Sequence, residues 1–191
     1  MILLAGPNGS GKTTLYQTRV APCFAGPFIN ADIIQRDELK DPAPAASYEA
    51  ARIAESRRAE FIAQHRDFVT ETVFSHPSKL DLISAARQSG YTVIVMHVSV
   101  NSPDLSVARV SARVDEGGHT VPEEKIRARY TRSASLIREA VLQADRGMVF
   151  DNSNLNQPPS QCLVFAKGRL VSALPLLPDW IRTVYVQDLV Y

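Results

Sequence analysis

The feature that most constrains this chain is a glycine-rich loop close to its start. The segment Gly6, Pro7, Asn8, Gly9, Ser10, Gly11, Lys12 and Thr13 matches the pattern G-x-x-x-x-G-K-[ST]. An apolar run at residues 1–5 precedes the loop, and a stretch that can form a helix over residues 12–20 follows it. In that setting backbone N–H groups point at phosphate oxygens, and the helix dipole adds to the attraction. The sequence therefore predicts a nucleotide-binding P-loop protein.

The order of apolar runs along the chain predicts an α/β fold with a mostly parallel sheet. We expect five strands at residues 1–5, 28–30, 68–73, 91–100 and 147–151. Helical patterns lie between them, including one over residues 47–65 that Ser47 can cap and a pair between residues 103 and 144. In the second of that pair, Thr120 and Glu123 form a capping-box pattern. The expected architecture is a three-layer P-loop fold with a helical lid.

The pattern changes near residue 155. Residues 161–174 read as a β-hairpin, and a segment around Trp180 is expected to anchor the end of the chain. We therefore divide the chain into a P-loop domain over residues 1–155 and a C-terminal extension over residues 156–191 that packs on the same core.

Composition and charge exclude several classes of protein. The chain has 191 residues, 45% of them hydrophobic and 21% charged, which is typical of one globular domain. A net charge of +1 is too small for a nucleic-acid coat protein or a polybasic membrane binder. No apolar run is long enough for a membrane span, and the start of the chain lacks the features of a signal peptide. The two distant cysteines, Cys23 and Cys162, favour a reducing cytoplasm.

A P-loop alone fits switches, motors and small-molecule kinases. The N-K-x-D motif of guanine-nucleotide switches is absent, and residues 91–100 lack the carboxylates that end the equivalent strand of motor ATPases. The acidic strand ends are instead Asp32 and Glu71. Asp32 follows the second strand, where open α/β sheets bind ligands, so it is our candidate general base for transfer to a hydroxyl. The alternative is that Asp32 only caps the helix that follows.

Arginines on two successive helices form a second group. Arg109 and Arg113 are one turn apart, and Arg129 and Arg132 follow on the next helix. The connection at residues 115–120 is glycine-rich, as in a lid that closes over phosphates. A solvated charged surface is the alternative interpretation. Asn152, after the fifth strand, is expected near the adenine and ribose, although an ordinary Asx turn fits equally well.

These motifs together resemble the zeta-toxin-like P-loop kinases, in particular their short bacterial branch. The resemblance covers roughly residues 1–155 and rests on residues 6–14, 30–32, 70–72, 109–122, 129–133 and 151–153. It implies an ATP-dependent kinase that phosphorylates the sugar 3′-hydroxyl of UDP-N-acetylglucosamine, and a small antitoxin protein as inhibitor. Magnesium is the implied metal ion.

The same resemblance assigns roles to individual residues. Lys12 and Thr13 hold ATP and Mg²⁺, Asp32 is the base, and Arg113 steadies the transferring phosphoryl group, helped by Arg129 or Arg132. His119 stands where a second lid arginine is expected. The ATP site is assigned to residues 6–13 together with Thr14 and Asn152. The acceptor site is assigned to Asn30, Asp32, Glu71, Thr72 and His119.

Two other functions stay open at this point. A housekeeping kinase acting on a nucleoside, nucleotide or sugar would share the same core. A nucleotide-binding regulatory protein that uses ATP or GTP only as a signal would also need the loop, but it would have no use for Asp32 or the lid arginines.

Overall fold

The strands of the protein form a single mixed sheet. The structure, a computed structural model, describes residues 1–115 and 121–189. Its strands are β1 (Ile2–Ala5), β2 (Phe28–Ile29), β3 (Val69–Thr72), β4 (Ile94–Ser99), β5 (Arg146–Asp151), β6 (Ser160–Ala166) and β7 (Arg169–Ala173). They lie in the order β2-β3-β1-β4-β5-β6-β7. The first five are parallel, and β6 and β7 continue the sheet as an antiparallel hairpin.

Helices follow the strands in the alternation that the sequence predicts. They are α1 (Lys12–Leu15), α2 (Ala31–Ile33), α3 (Pro44–Ala63), α4 (Lys79–Gln88), α5 (Pro103–Asp115), α6 (Glu123–Gln143) and α7 (Asp179–Val184). The first two continue with the wider turns of a π-helix, over Tyr16–Val20 and Ile34–Leu39. None of the helices in the described residues is long and apolar enough to cross a membrane.

Apolar side chains cover both faces of the sheet. Leu4 and Met96 pack on one face against Leu15 of α1. The opposite face carries the larger cluster, which includes Ile83 of α4 and Ile137 of α6. Covered faces explain the continuous apolar run of β1, since a strand buried on both sides has no solvent-facing positions. The expected three-layer α/β P-loop fold is confirmed.

The strand order determines where ligands bind. The chain leaves β1 toward β2 and β3 on one side and later adds β4 and β5 on the other. The crevice of an open α/β sheet lies at such a reversal, outside the carboxyl ends of the strands. The loop after β1 is therefore at the centre of this edge, with the loops after β3 and β4 beside it.

The C-terminal hairpin is confirmed, and it joins the sheet directly. Strand β6 pairs antiparallel with β5, with Met148 opposite Val164. Helix α7 then returns to the core, where Trp180 and Ile181 are buried. The boundary at residue 155 stays a prediction.

Three local expectations were wrong or fall outside the described residues. The helix expected to start at Ser47 begins at Pro44, because proline suits the first turn and Asp41 Oδ1 accepts from Ala43 N at 2.8 Å just before it. The strand expected from residue 91 starts at Ile94, since Val93 N donates to Asp145 Oδ2 at 2.9 Å. Helix α6 has Pro122 at its N-cap, and Thr120 lies outside the described residues.

Candidate active site

The phosphate-binding loop runs tightly between β1 and α1. Gly11 has φ +90°, a left-handed conformation that glycine adopts without strain. A Cβ atom at Gly11 would lie 2.0 Å from Asn152 Nδ2, and one at Gly6 would lie 2.1 Å from Val98 O. Side chains are therefore excluded at both positions, and the loop keeps its backbone available for phosphate.

Lys12 is held underneath this loop. Its side chain is only 7% exposed, and Nζ donates to Gly6 O and Pro7 O, each at 3.0 Å. Glu71 Oε1 lies 3.9 Å from Nζ. The ammonium group thus sits among oxygen atoms of the loop and of β3, close to the place where a β/γ-phosphate would bind.

The start of α1 suits a magnesium ion. Thr13 and Thr14 are exposed in its first turn, so the Thr13 hydroxyl is available as a hard oxygen ligand. Ser10 Oγ is buried and has no hydrogen-bond partner within the described residues. These residues contain no cluster of three metal-ligating His, Cys, Asp or Glu side chains. Mg²⁺ binds one or two protein ligands together with substrate phosphates, so the Thr13 hydroxyl suits it.

Asn30, not Asp32, caps the helix after β2. Asn30 Oδ1 accepts from Asp32 N at 2.7 Å and from Ile33 N at 3.3 Å. The interpretation of Asp32 as the cap is therefore wrong. Its carboxylate is exposed in the first turn of α2, at the carboxyl edge of the sheet, and remains available for chemistry. Asn30 itself is buried and uses its side-chain oxygen in the cap.

The end of β3 lies next to the loop. Glu71 pairs in register with Leu4, and Thr72 pairs with Ala5. Gly6 N donates to Thr72 O at 3.3 Å, while Thr72 Oγ1 accepts from Phe74 N at 3.1 Å. The structure thus brings Glu71 close to Lys12, and Thr72 contributes to the turn that follows its strand.

Among the candidate lid arginines, Arg129 contacts the phosphate-binding loop. Its Nη1 donates to Asn8 Oδ1 at 3.2 Å. Arg132 is exposed one turn further along α6. The neighbouring Tyr130 hydroxyl donates to Val100 O at 2.6 Å, which fixes this part of α6 against the end of β4. Burial raises the pKa of Tyr130, so the hydroxyl keeps its proton.

Arg109 takes a role that the sequence did not reveal. Its guanidinium donates to Asn152 O at 2.7 Å and approaches Ser153 O at 3.5 Å. Burial lowers the pKa of Arg109, and the nearby Asp151 carboxylate partly offsets that effect. Arg109 therefore supports the loop after β5 instead of facing solvent. The side chain of Arg113 and all of His119 lie outside the described residues.

Asn152 contacts the loop itself. Its Nδ2 donates to Ser10 O at 3.0 Å, and its backbone N donates to Ser99 O at 2.9 Å. A direct contact with the nucleotide stays a prediction. The observed geometry places the amide of Asn152 where it holds the backbone that cradles phosphate.

Comparisons with known proteins agree with this architecture. A Haemophilus influenzae protein described as uncharacterized is 30% identical over 129 residues, which are 68% of this chain and 91% of that protein. A chain of the AvrRxo1-ORF1–ORF2 complex with ATP superposes with a TM-score of 0.70 at 13% identity, covering 98% of this chain and 62% of that one.

A further match is a chain of the PezAT toxin–antitoxin system of Streptococcus pneumoniae, with a TM-score of 0.66 and 15% identity. The match covers 96% of this chain and 76% of that one. Identities this low show a shared fold. The sequence profile of the zeta toxin family matches residues 1–157, most of the chain. Together with the phosphate-binding loop and the strand order, this match shows that the chain belongs to the zeta toxin family.

Proposed function

We propose that the protein is an Mg²⁺-dependent kinase that transfers the γ-phosphoryl group of ATP to a hydroxyl of a small molecule. One observation carries this proposal: three groups lie at the carboxyl edge of the sheet. They are the phosphate-binding loop with Lys12, the exposed carboxylate of Asp32 and the guanidinium of Arg129, which contacts the loop. Phosphoryl transfer needs this combination of cationic groups around the phosphates and a carboxylate near the acceptor.

In the proposed reaction, ATP binds with its β- and γ-phosphates on the amides of the loop. Lys12 then exchanges its contacts with Gly6 O and Pro7 O for phosphate oxygens. Thr13, together with the phosphates, would hold a magnesium ion, which would supply positive charge against the developing negative charge. Glu71 stays near the ammonium group and helps to orient it.

Asp32 accepts the proton of the acceptor hydroxyl as the hydroxyl oxygen attacks the γ-phosphorus. The bond between that phosphorus and the bridging oxygen breaks, and ADP leaves with the electron pair. Arg129, already at the loop through Asn8, stabilises charge on the transferring group. Arg113 is proposed to assist.

We propose a UDP-N-acetyl sugar as the acceptor. The support is membership of the zeta toxin family and the position of Asn30, Asp32, Glu71 and Thr72 at the ends of β2 and β3, where an acceptor can reach Asp32. His119 is proposed to contact the acceptor from the lid. We also propose a small antitoxin protein as partner, in line with the toxin–antitoxin system among the structural relatives.

An acceptor panel tests this proposal. Purified protein with ATP and Mg²⁺ is incubated with UDP-N-acetyl sugars, nucleosides and free sugars, and mass spectrometry detects an added phosphoryl group. Phosphorylation of a UDP-N-acetyl sugar is the expected result. Turnover of only another hydroxyl compound would keep the kinase and reject this acceptor, and ATP binding with no phosphorylated product would contradict the kinase proposal.

A further inference from the structure

Trp180, in the C-terminal segment, makes a buried polar contact with the end of β5. The indole Nε1 donates to Asp151 Oδ1 at 2.7 Å, and both side chains are buried. A buried carboxylate requires hydrogen-bond donors, because its charge is costly away from water. Trp180 supplies one of them and so links helix α7 to the carboxyl edge of the sheet.

The same carboxylate organises the loop after β5. Asp151 Oδ1 accepts from Ser153 Oγ at 2.7 Å, and Asp151 Oδ2 accepts from Ser153 N at 3.3 Å. Ser153 Oγ in turn accepts from Asn101 N at 2.9 Å, which ties the loop after β4 to it. Arg109 closes the arrangement by donating to Asn152 O. The residues before and after Asn152, Asp151 and Ser153, are therefore both held by hydrogen bonds.

Asn152, held in this way, contacts the backbone of the phosphate-binding loop. Its Nδ2 bonds to Ser10 O at 3.0 Å and lies only 2.0 Å from the position of a Cβ atom on Gly11. The loop backbone thus packs directly on the Asn152 amide. Peptide amides that bind phosphate must keep a fixed orientation, so a support of this kind acts on ATP affinity without touching ATP.

We propose that Trp180 is a positioning residue for ATP binding, acting through Asp151 and Asn152 on Ser10 of the phosphate-binding loop. The C-terminal segment then serves the active site as well as the core. This inference rests on the proposed function in taking ATP as the ligand of the loop.

The same segment offers a matched control. Tyr185 is buried, and its hydroxyl is 2.8 Å from His97 Nδ1, a contact with β4 that does not involve Asp151, Asn152 or Ser10. Trp180→Phe and Tyr185→Phe each remove one buried hydrogen bond between the C-terminal segment and the sheet. Only the first removes a contact of the proposed path.

The test combines amide hydrogen exchange of residues 6–13 in the nucleotide-free protein with calorimetric titration of ATP and Mg²⁺. For Trp180→Phe we expect exchange in the loop to be about 3- to 10-fold faster and the Kd for ATP to rise by a similar factor, the effect of one hydrogen bond. Tyr185→Phe is expected to leave both values within about twofold of the wild type.

Asn152→Ala removes the last link and distinguishes a path from general destabilisation. If Trp180 acts through Asn152, the double variant binds ATP no more weakly than Asn152→Ala alone, because the two effects are not additive. Additive effects, unchanged loop exchange in Trp180→Phe, or an equal effect of Tyr185→Phe would overturn the proposal. Amide exchange in the loop is measured without nucleotide and does not depend on catalysis. Failure to phosphorylate any acceptor would therefore contradict the proposed function, but the effect of Trp180→Phe on the loop could still be interpreted.

Discussion

Arg129 Nη1 donates a hydrogen bond to Asn8 Oδ1 at 3.2 Å, which places a cation of helix α6 on the phosphate-binding loop. Sequence spacing left Arg129 and Arg132 as equal candidates for the second lid arginine. The contact with Asn8 favours Arg129. It also shows that the α6 side of the proposed lid reaches the loop.

The first prediction compares these two arginines. We expect Arg129→Ala to lower kcat by about 10³-fold, since an arginine that stabilises the transferring phosphoryl group contributes at least that much in related enzymes. Arg132→Ala serves as the control and is expected to leave kcat within about threefold, because surface substitutions have small effects. Steady-state kinetics with saturating ATP measures both. A larger loss in Arg132→Ala would reverse the assignment.

The second prediction concerns the loop backbone. Gly11→Ala places a Cβ atom 2.0 Å from Asn152 Nδ2, at a residue with φ +90°, so we expect ATP binding to be lost. Gly90→Ala is the matched control: its φ is +81°, yet nothing lies within 4 Å of the added atom. We expect it to cost about 1 kcal/mol of stability and to leave the Kd for ATP unchanged. Titration with ATP in both variants distinguishes contact at the loop from backbone strain alone.

The third prediction concerns Lys12. Lys12→Met removes the buried ammonium group beside Glu71 while keeping an unbranched side chain. We expect kcat to fall by about 10²- to 10³-fold, as for the loss of one electrostatic stabiliser of a transition state. Thermal unfolding of the variant checks that the loss is not one of folding. Activity within tenfold of the wild type would contradict the proposed role of Lys12.

The fourth prediction concerns stability at acidic pH. Burial lowers the pKa of His97 from 6.5 to about 3, so the unfolded chain binds a proton between these values and the folded protein does not. The contribution is fully present above pH 6.5 and is lost as pH falls. We expect the free energy of unfolding to decrease by up to about 1.4 kcal/mol per pH unit below pH 6 on account of this residue.

Urea unfolding at pH 7 and pH 5 measures this effect. The free energy of unfolding of His97→Asn is expected to fall less between pH 7 and pH 5 than that of the wild type. The control His76→Gln changes an exposed histidine and is expected to follow the wild type. Identical pH dependence in the wild type and His97→Asn would contradict the account.

Local sequence signals predicted the fold well. The loop motif, the apolar run of β1 and the Pro103 start of α5 each depend on neighbouring residues, and the structure has all three. The predicted start of α3 at Ser47 was wrong because the helix begins at Pro44, just after the hydrogen bond from Ala43 N to Asp41 Oδ1. Such a choice depends on side-chain geometry that composition does not show.

The site was only partly predictable for a different reason. Lys12 and Asp32 could be placed at the carboxyl edge of the sheet because each follows the end of a predicted strand by a few residues. Helical spacing put Arg109 on one face with Arg113, but it does not say which loop that face meets, and Arg109 meets Asn152. The contact of Trp180 with Asp151 joins residues 29 positions apart, on elements whose packing no local pattern specifies.

The most direct test of the central claim is phosphoryl transfer from ATP to the acceptor by Asp32→Asn. A single-turnover assay, with Mg²⁺ and the acceptor found in the panel, is run beside Asp37→Asn, an exposed carboxylate variant in the same helical stretch. We predict that Asp32→Asn binds ATP normally but transfers at least about 10²-fold more slowly, whereas Asp37→Asn matches the wild type. Transfer by Asp32→Asn at the wild-type rate would show that Asp32 is not the base.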